Sequence, residues 1–344
     1  MSEPYQNTEK QIKKLVSQRI VPGISYAIID HEQVIKKVMG DSEVKPKHFQ
    51  LQDGMTYDVA SLTKIVGTEI LISQLVEEGQ LSYDQQVVKI LPNFFDAHVT
   101  IRHLLTHTSG ITGYIPHRNE LSTRELLQAL FTLEIGPDFN QKVVYSDLNY
   151  IFLGLIIEHV LHTPVQVAIT ERVLTPLKLT HSTFAPDPLI CVPTEWTAKT
   201  GLIRGTVHDP KAQILGAHCG SAGLFSTLGD LTKYVIWLLH PETNPSVLKK
   251  QTVNQLFENQ TANPDLIRSF GWGLIKQTDN GEDHWVLKHS GFTGTMLLVD
   301  TTRQQALVFL SNRVHPTADN QIYFTYRQAV IEAFLKDGQG SVKG

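Results

Sequence analysis

The sequence predicts an α+β fold: an antiparallel sheet drawn from both ends of the chain, flanked by helices, with an all-helical lobe inserted between them. Three observations predict it. β-rich runs occur early, at 23–29 and 33–38, and again late, at 285–289, 295–299 and 306–310. From Ser61 to about residue 260 the hydrophobic pattern has mainly helical periodicity. Strands follow strands across turns instead of alternating with helices, which favours antiparallel pairing over a βαβ sheet. The expected organisation is one domain over 1–344, with a sheet lobe from 1–60 and 265–344 and a helical lobe from 61–264. A site between the lobes follows, since clefts commonly form there.

In chain order, 9–19 reads as an amphipathic helix, and the first two runs form a hairpin around Asp30-His31-Glu32. Residues 65–81 form a helix that is apolar on nearly all sides, through Ile65, Val66, Ile70, Leu71, Ile72, Leu75 and Val76. Such a helix is buried, and Gly79 supplies its stop. Lys142-Val143-Val144 reads as extended and 148–161 as a second apolar helix, ending before Thr163-Pro164. The late strands are joined by turn residues, and a final helix covers 321–335.

Composition excludes several classes. With 41% hydrophobic and 19% charged residues and a net charge of −4, the chain is of ordinary globular type. That balance offers no electrostatic case for nucleic acid or an anionic membrane surface. No run is long enough to span a bilayer. The start, Met1-Ser2-Glu3-Pro4-Tyr5, has no signal-peptide apolar core, so as numbered the chain is expected in the cytoplasm. Cys191 and Cys219, the two cysteines, are read as small buried hydrophobes.

Ser61 and Lys64 sit three apart at the front of the first apolar helix, so their side chains share a face. A hydroxyl at a helix tip beside an amine is an activated-nucleophile arrangement. Burial disfavours an ammonium, so Lys64 is expected to be neutral enough to accept the serine proton. The helix N-terminus adds N–H groups where an oxyanion would develop. Ser-x-x-Lys recurs at Ser42–Lys45, read as a loop running into Pro46, and at Ser246–Lys249, read as the start of a polar helix with solvated lysines. Only Ser61 heads a buried helix.

Tyr145-Ser146-Asp147 precedes the second apolar helix. Ser146 or Asp147 suits a helix cap, and a phenol near positive charge can shuttle protons. His289-Ser290-Gly291 ends a strand, where Gly291 permits close approach of another backbone and His289 could supply positive charge or a hydrogen bond next to a nucleophile. Histidine is abundant, 15 in all, and His103 and His107 have i, i+4 spacing. No HExxH accompanies them, and no metal or cofactor is expected.

Taken together, Ser61-x-x-Lys64, Tyr145-x-Asp147 and His289-x-Gly291 resemble, in order and separation, the motifs of the penicillin-recognising serine hydrolases. The resemblance is to the class C β-lactamase-like branch, with its D-alanyl-D-alanine carboxypeptidases, D-aminopeptidases and esterases. The segments around His103-Leu104-Leu105-Thr106-His107-Thr108-Ser109-Gly110, Gly205-Thr206-Val207-His208-Asp209, Ala222-Gly223-Leu224-Phe225-Ser226-Thr227 and Phe270-Gly271-Trp272-Gly273 are similar to segments of that branch. It implies Ser61 as acylated nucleophile, Lys64 as the group that helps deprotonate it, and Tyr145 as proton relay and activator of water. It implies an oxyanion hole from the N–H groups of Ser61 and Phe292, and substrate contacts from Asp147, His289, Ser290, Gly291 and Phe292. Asp147 stands where classical members have Asn, and a carboxylate there would favour a charged Lys64 and shift the base role toward Tyr145; His289 stands where most have Lys. These departures make acyl transfer on a D-alanyl peptide or small ester a better expectation than efficient β-lactam hydrolysis. β-Lactams are expected as acylating ligands. The alternative is a penicillin-binding module that acylates but scarcely turns over, acting as receptor or regulator.

Overall fold

The computed structural model describes residues 5–341; the polar start Met1-Ser2-Glu3-Pro4 lies outside them. Helix α1 (Gln6–Ser17) buries Thr8, Ile12 and Leu15, one face at helical spacing. Strands β1 (Gly23–Asp30) and β2 (Gln33–Glu43) form the expected hairpin, with Asp30 opposite Gln33. A two-residue strand β3 (Phe49–Gln50) extends it, opposite Asp41 and Glu43. That pairing corrects the reading of Ser42–Lys45 as loop: Ser42 and Glu43 belong to β2, because β3 supplies partners that a local sequence pattern cannot show.

The principal helix begins after Ser61, passes through a π-helical turn at Lys64–Thr68 and continues as α2 (Glu69–Glu77), with Gly79 at φ +71° just beyond. The second apolar helix is α3 (Asp147–Leu161). Two further helices, α4 (Pro210–Leu215) and α5 (Leu228–Leu239), precede the return to strands. Those strands are β4 (Gly273–Asp279), β5 (Glu282–Ser290), β6 (Met296–Asp300) and β7 (Gln305–Ser311), and α6 (Tyr323–Ser341) closes the described chain. Strand β4 has no counterpart among the sequence-predicted elements. Its signal was Asn280-Gly281, both at positive φ and forming the two-residue turn between Asp279 and Glu282.

The seven strands form one antiparallel sheet in the order β4-β5-β6-β7-β1-β2-β3. The β1–β7 pairing, Ile24 opposite Ser311 through Asp30 opposite Gln305, joins the two chain ends, as the sequence predicts. Alternate residues sort to opposite faces of the sheet. Ile24, Tyr26, Ile28, Met296, Leu298, Leu307 and Phe309 pack with Ile12, Val330 and Phe334 of α1 and α6. Ala27, Ile29, Leu297, Val299 and Val308 join the larger core, together with α2, α3 and α5. Helix α5 packs directly on β7, β1 and β6. Among the described residues, three two-stranded ribbons lie outside the main sheet, one of them pairing Tyr57–Asp58 with Phe225–Ser226.

Ser246-Val247-Leu248-Lys249 departs from expectation. Val247 and Leu248 are buried, and the short helix starts only at Lys250 with Lys249 as its N-cap. Apolar anchoring in the main core holds this segment outside the helix. Among the described residues, no single helix is long and apolar enough to cross a membrane.

Candidate active site

Ser61 sits at the tip of the principal helix because of what happens just before it. The ribbon strand Tyr57–Asp58 ends, Asp58 Oδ1 accepts the Ala60 N–H at 2.8 Å, and Ala60 takes a left-handed backbone at φ +48°. This sharp turn leads the chain from strand into helix with Ser61 at the bend. The π-helical turn begins at Lys64, and such turns are frequent at functional sites.

The strand side is fastened to this turn by side chains. Thr293 Oγ1 donates to Asp58 O at 2.7 Å and Thr295 Oγ1 to Val59 O at 3.0 Å. A Cβ on Gly291 would lie 2.5 Å from Val59 O, so only glycine permits the approach anticipated for it. The end of β5 and the turn after it are thereby brought beside Ser61. Among the described residues, neither the Ser61 nor the Phe292 N–H has an intramolecular acceptor. Two uncommitted donors at a helix tip and a strand end suit an oxyanion hole.

Lys64 is fully buried, and its ammonium spends three donors at once: on Ser61 Oγ at 2.9 Å, Asp147 Oδ1 at 2.8 Å and Ser221 O at 2.9 Å. Burial works against its charge, but the Tyr145 phenol and the Asp147 carboxylate outweigh it and hold the pKa above the ordinary lysine value. This corrects the burial-based expectation of a neutral, proton-accepting Lys64 in favour of the charged Lys64 that a carboxylate at Asp147 implied. Burial alone would discharge it; a carboxylate 83 residues away in sequence reverses the sign.

Asp147 stays ionised. Burial opposes its charge, yet Lys64 and Lys211 bring its pKa down to about 2. Lys211 Nζ lies 3.2 Å from Asp147 Oδ2. Ser146, not Asp147, caps α3, its Oγ accepting the Leu148 N–H at 3.3 Å. The cap alternative is thus resolved locally, leaving the Asp147 side chain to the lysines.

Tyr145 is 46% exposed. Lys64 Nζ lies 5.2 Å from the centre of its ring and the Arg268 guanidinium 5.7 Å, while His107 packs against it at 4.5 Å. His107 is buried and neutral, its pKa pushed well down by burial and by Arg268 and Lys64. Its Nδ1 accepts the Ser146 N–H at 3.3 Å and meets Asn149 Nδ2 at 3.0 Å, so the ring supports the Tyr145 loop. His103 instead caps its own helix, Nδ1 accepting the Thr100 N–H at 3.1 Å.

His289 corrects a second expectation. It is only 4% exposed, and neither ring nitrogen has a hydrogen-bond partner among the described residues. Burial, then Arg268 and Lys64, push its pKa well below the ordinary histidine range, so it is neutral and supplies no charge.

Positive charge comes from residues that sequence reasoning missed. A cavity of about 420 Å³ reaches Ser61, Tyr145 and His289, and Arg268, Lys288, Arg313 and Arg327 line it with no carboxylate side chain. None of the four has an acidic ion-pair partner among the described residues. Arg327 donates to Ser290 Oγ at 3.2 Å. The Arg313 guanidinium lies 4.5 Å from the Phe292 ring centre and 4.9 Å from that of Phe324. No spacing rule points to these residues, which come from β5, α6 and separate loops. The two thiols stay protonated: burial pushes Cys191 up to about 11 and raises Cys219.

Comparison with known proteins agrees with this geometry. The beta-lactamase family model matches residues 8–331. A protein of Escherichia coli K12 named "Putative D-alanyl-D-alanine carboxypeptidase" is 28% identical over 373 residues, covering 90% of this chain and 84% of the relative. A class C beta-lactamase from Rhodobacter sphaeroides has the same fold at 15% identity and TM-score 0.75, over 96% of this chain and 98% of that one. Simvastatin synthase from Aspergillus terreus does so at 19% identity and TM-score 0.76, over 97% and 98%. The chain belongs to the beta-lactamase family, within the penicillin-recognising serine hydrolases, and is a serine hydrolase.

Proposed function

We propose that the chain cleaves a D-alanyl peptide or small ester bearing a carboxylate, through an acyl-enzyme on Ser61. The observation that carries this reading is the Lys64–Ser61 hydrogen bond of 2.9 Å at the mouth of a cavity lined by four cations and no acid. Ser61 Oγ adds to the substrate carbonyl as its proton passes to the Tyr145 oxygen, which hands its own phenolic proton on to the leaving group. The oxyanion that forms is met by the Ser61 and Phe292 N–H groups. The leaving amine or alcohol takes the proton from Tyr145 as the acyl bond breaks, and water activated by Tyr145 releases the acyl group. Lys64, charged and triply bonded, orients Ser61 and stabilises negative charge. The base role therefore falls to Tyr145. The substrate carboxylate pairs with the cavity arginines, and neutral His289 offers a hydrogen bond.

The test is the mass of the intact protein after exposure to a penicillin and, separately, to a fluorophosphonate. Each reagent is expected to add one adduct, lost in Ser61→Ala and retained in Ser246→Ala. Labelling that survives Ser61→Ala overturns the assignment. A penicillin adduct that persists for hours, with no turnover of D-alanyl-D-alanine peptides, selects the receptor-like alternative.

A further inference from the structure

Lys211 lies in the first turn of α4, and Asp209 immediately precedes that helix. Asp209 divides its two oxygens: Oδ1 accepts the Ala212 N–H at 2.9 Å as the helix cap, and Oδ2 meets Lys211 Nζ at 2.9 Å. The same ammonium reaches Asp147 Oδ2, whose other oxygen holds Lys64. Four charges thus alternate in a row that ends on Ser61: Asp209, Lys211, Asp147, Lys64. They sum to zero, and the Lys211 side chain is only 15% exposed.

We propose that Lys211 is a positioning residue: by sharing Asp147 with Lys64, it sets how firmly the carboxylate holds that ammonium, and so the pH range in which Ser61 is activated. The inference rests on the Ser61 reading above. A lysine serving only the α4 cap could remain with Asp209 in solvent. Instead its ammonium turns inward onto the one carboxylate that touches Lys64. The other groups facing the row are Tyr145 and Tyr150 beside Lys64, Arg268 over Tyr145, neutral His107 and His289, and Arg118, which lines a small cavity with Lys211. Behind Asp209 stand Asp58, which burial raises to about 6, and His208.

The signs follow from the row. Lys211→Met leaves one unbalanced negative charge near Lys64, which raises the proton affinity of the Ser61 network. Asp209→Asn leaves one unbalanced positive charge, which lowers it, while the asparagine oxygen still caps α4. A charge at this separation in a partly buried site shifts titration by about one pH unit.

The experiment measures the rate of fluorophosphonate labelling of Ser61 against pH in the full-length wild type, Lys211→Met, Lys211→Arg and Asp209→Asn. The acid limb is expected to move up about one unit in Lys211→Met, or about tenfold in rate on the limb. It should move down in Asp209→Asn and return to the wild-type position in Lys211→Arg. Identical midpoints, or shifts of the same sign in Lys211→Met and Asp209→Asn, overturn this inference while leaving Ser61 in place. Absence of wild-type labelling overturns both readings. Should Lys211→Met fail to fold, Asp209→Asn decides alone: an unmoved or raised limb overturns the proposal.

Discussion

The two walls of the cleft handle charge in opposite ways. On the helix wall, Lys64, Asp147, Lys211 and Asp209 are paired at 2.8–3.2 Å, and each is partly or wholly withdrawn from water. On the strand wall, Arg268, Lys288, Arg313 and Arg327 have no acidic partner among the described residues and line an open cavity. A buried ion that loses its partner is strongly destabilising; the strand-wall cations are instead held by neutral groups, buried Arg313 donating to Phe292 O and Arg268 to Gly271 O, so their charge stays unneutralised. One wall is thus neutralised within itself, and the other keeps net positive charge facing the cavity.

Breaking the paired wall has the largest expected effect. Lys64→Ala and Tyr145→Phe should each lower kcat/KM for a p-nitrophenyl ester by about 10²–10⁴. Because both act with Ser61 as one unit, the double variant should lose little more than the worse single one. Multiplicative losses would show two independent roles.

One residue beneath the helix wall sharpens the contrast. Glu69 is buried on the same helix as Lys64, with no cation beside it, and burial raises its carboxyl to about 8 from 4.5. The folded state therefore holds a proton that the unfolded state releases between those values, so stability falls as pH rises through that window. The loss is on the order of 4 kcal/mol at the top of it. Glu69→Gln should remove this slope in urea titrations at pH 5 and pH 8. A slope unchanged by the substitution would show that Glu69 is ionised in the fold.

On the strand wall, Arg327→Ala should raise KM about tenfold for a carboxylate-bearing peptide and barely alter it for a neutral ester. Equal changes for both substrates would mean that Arg327 only supports Ser290. The smallest effect belongs to His289. Because it is buried and neutral, KM for the carboxylate-bearing peptide should show no step near pH 6.5. A step there, lost in His289→Gln, would mean that His289 charges when substrate is bound.

Much of this molecule is local enough to be read from its sequence. The hairpins announce themselves through short apolar, β-rich runs separated by turn residues, and Ser61 stands out because only its Ser-x-x-Lys heads an all-apolar helix. Gly291 was legible too, since a glycine at a strand end implies close approach, and Val59 O is what approaches. Strand β4 was marked by Asn280-Gly281, although its polar second half hides the alternation.

Charge state was only partly legible: a carboxylate at Asp147 pointed to a charged Lys64 while burial pointed the other way, and which wins depends on distances that the sequence conceals. From burial alone Lys64 would be neutral; Asp147 makes it an ammonium, and Lys211, a further 64 positions along the chain, moderates that carboxylate. His289 fails in the opposite direction, a nominal cation that burial and two nearby cations render neutral. The α+β architecture and the singling out of Ser61 are therefore readable from the chain alone, since both rest on periodicity and short-range spacing. Which groups carry charge follows from the tertiary structure, because electrostatic energy depends on distances and burial set by packing remote segments together.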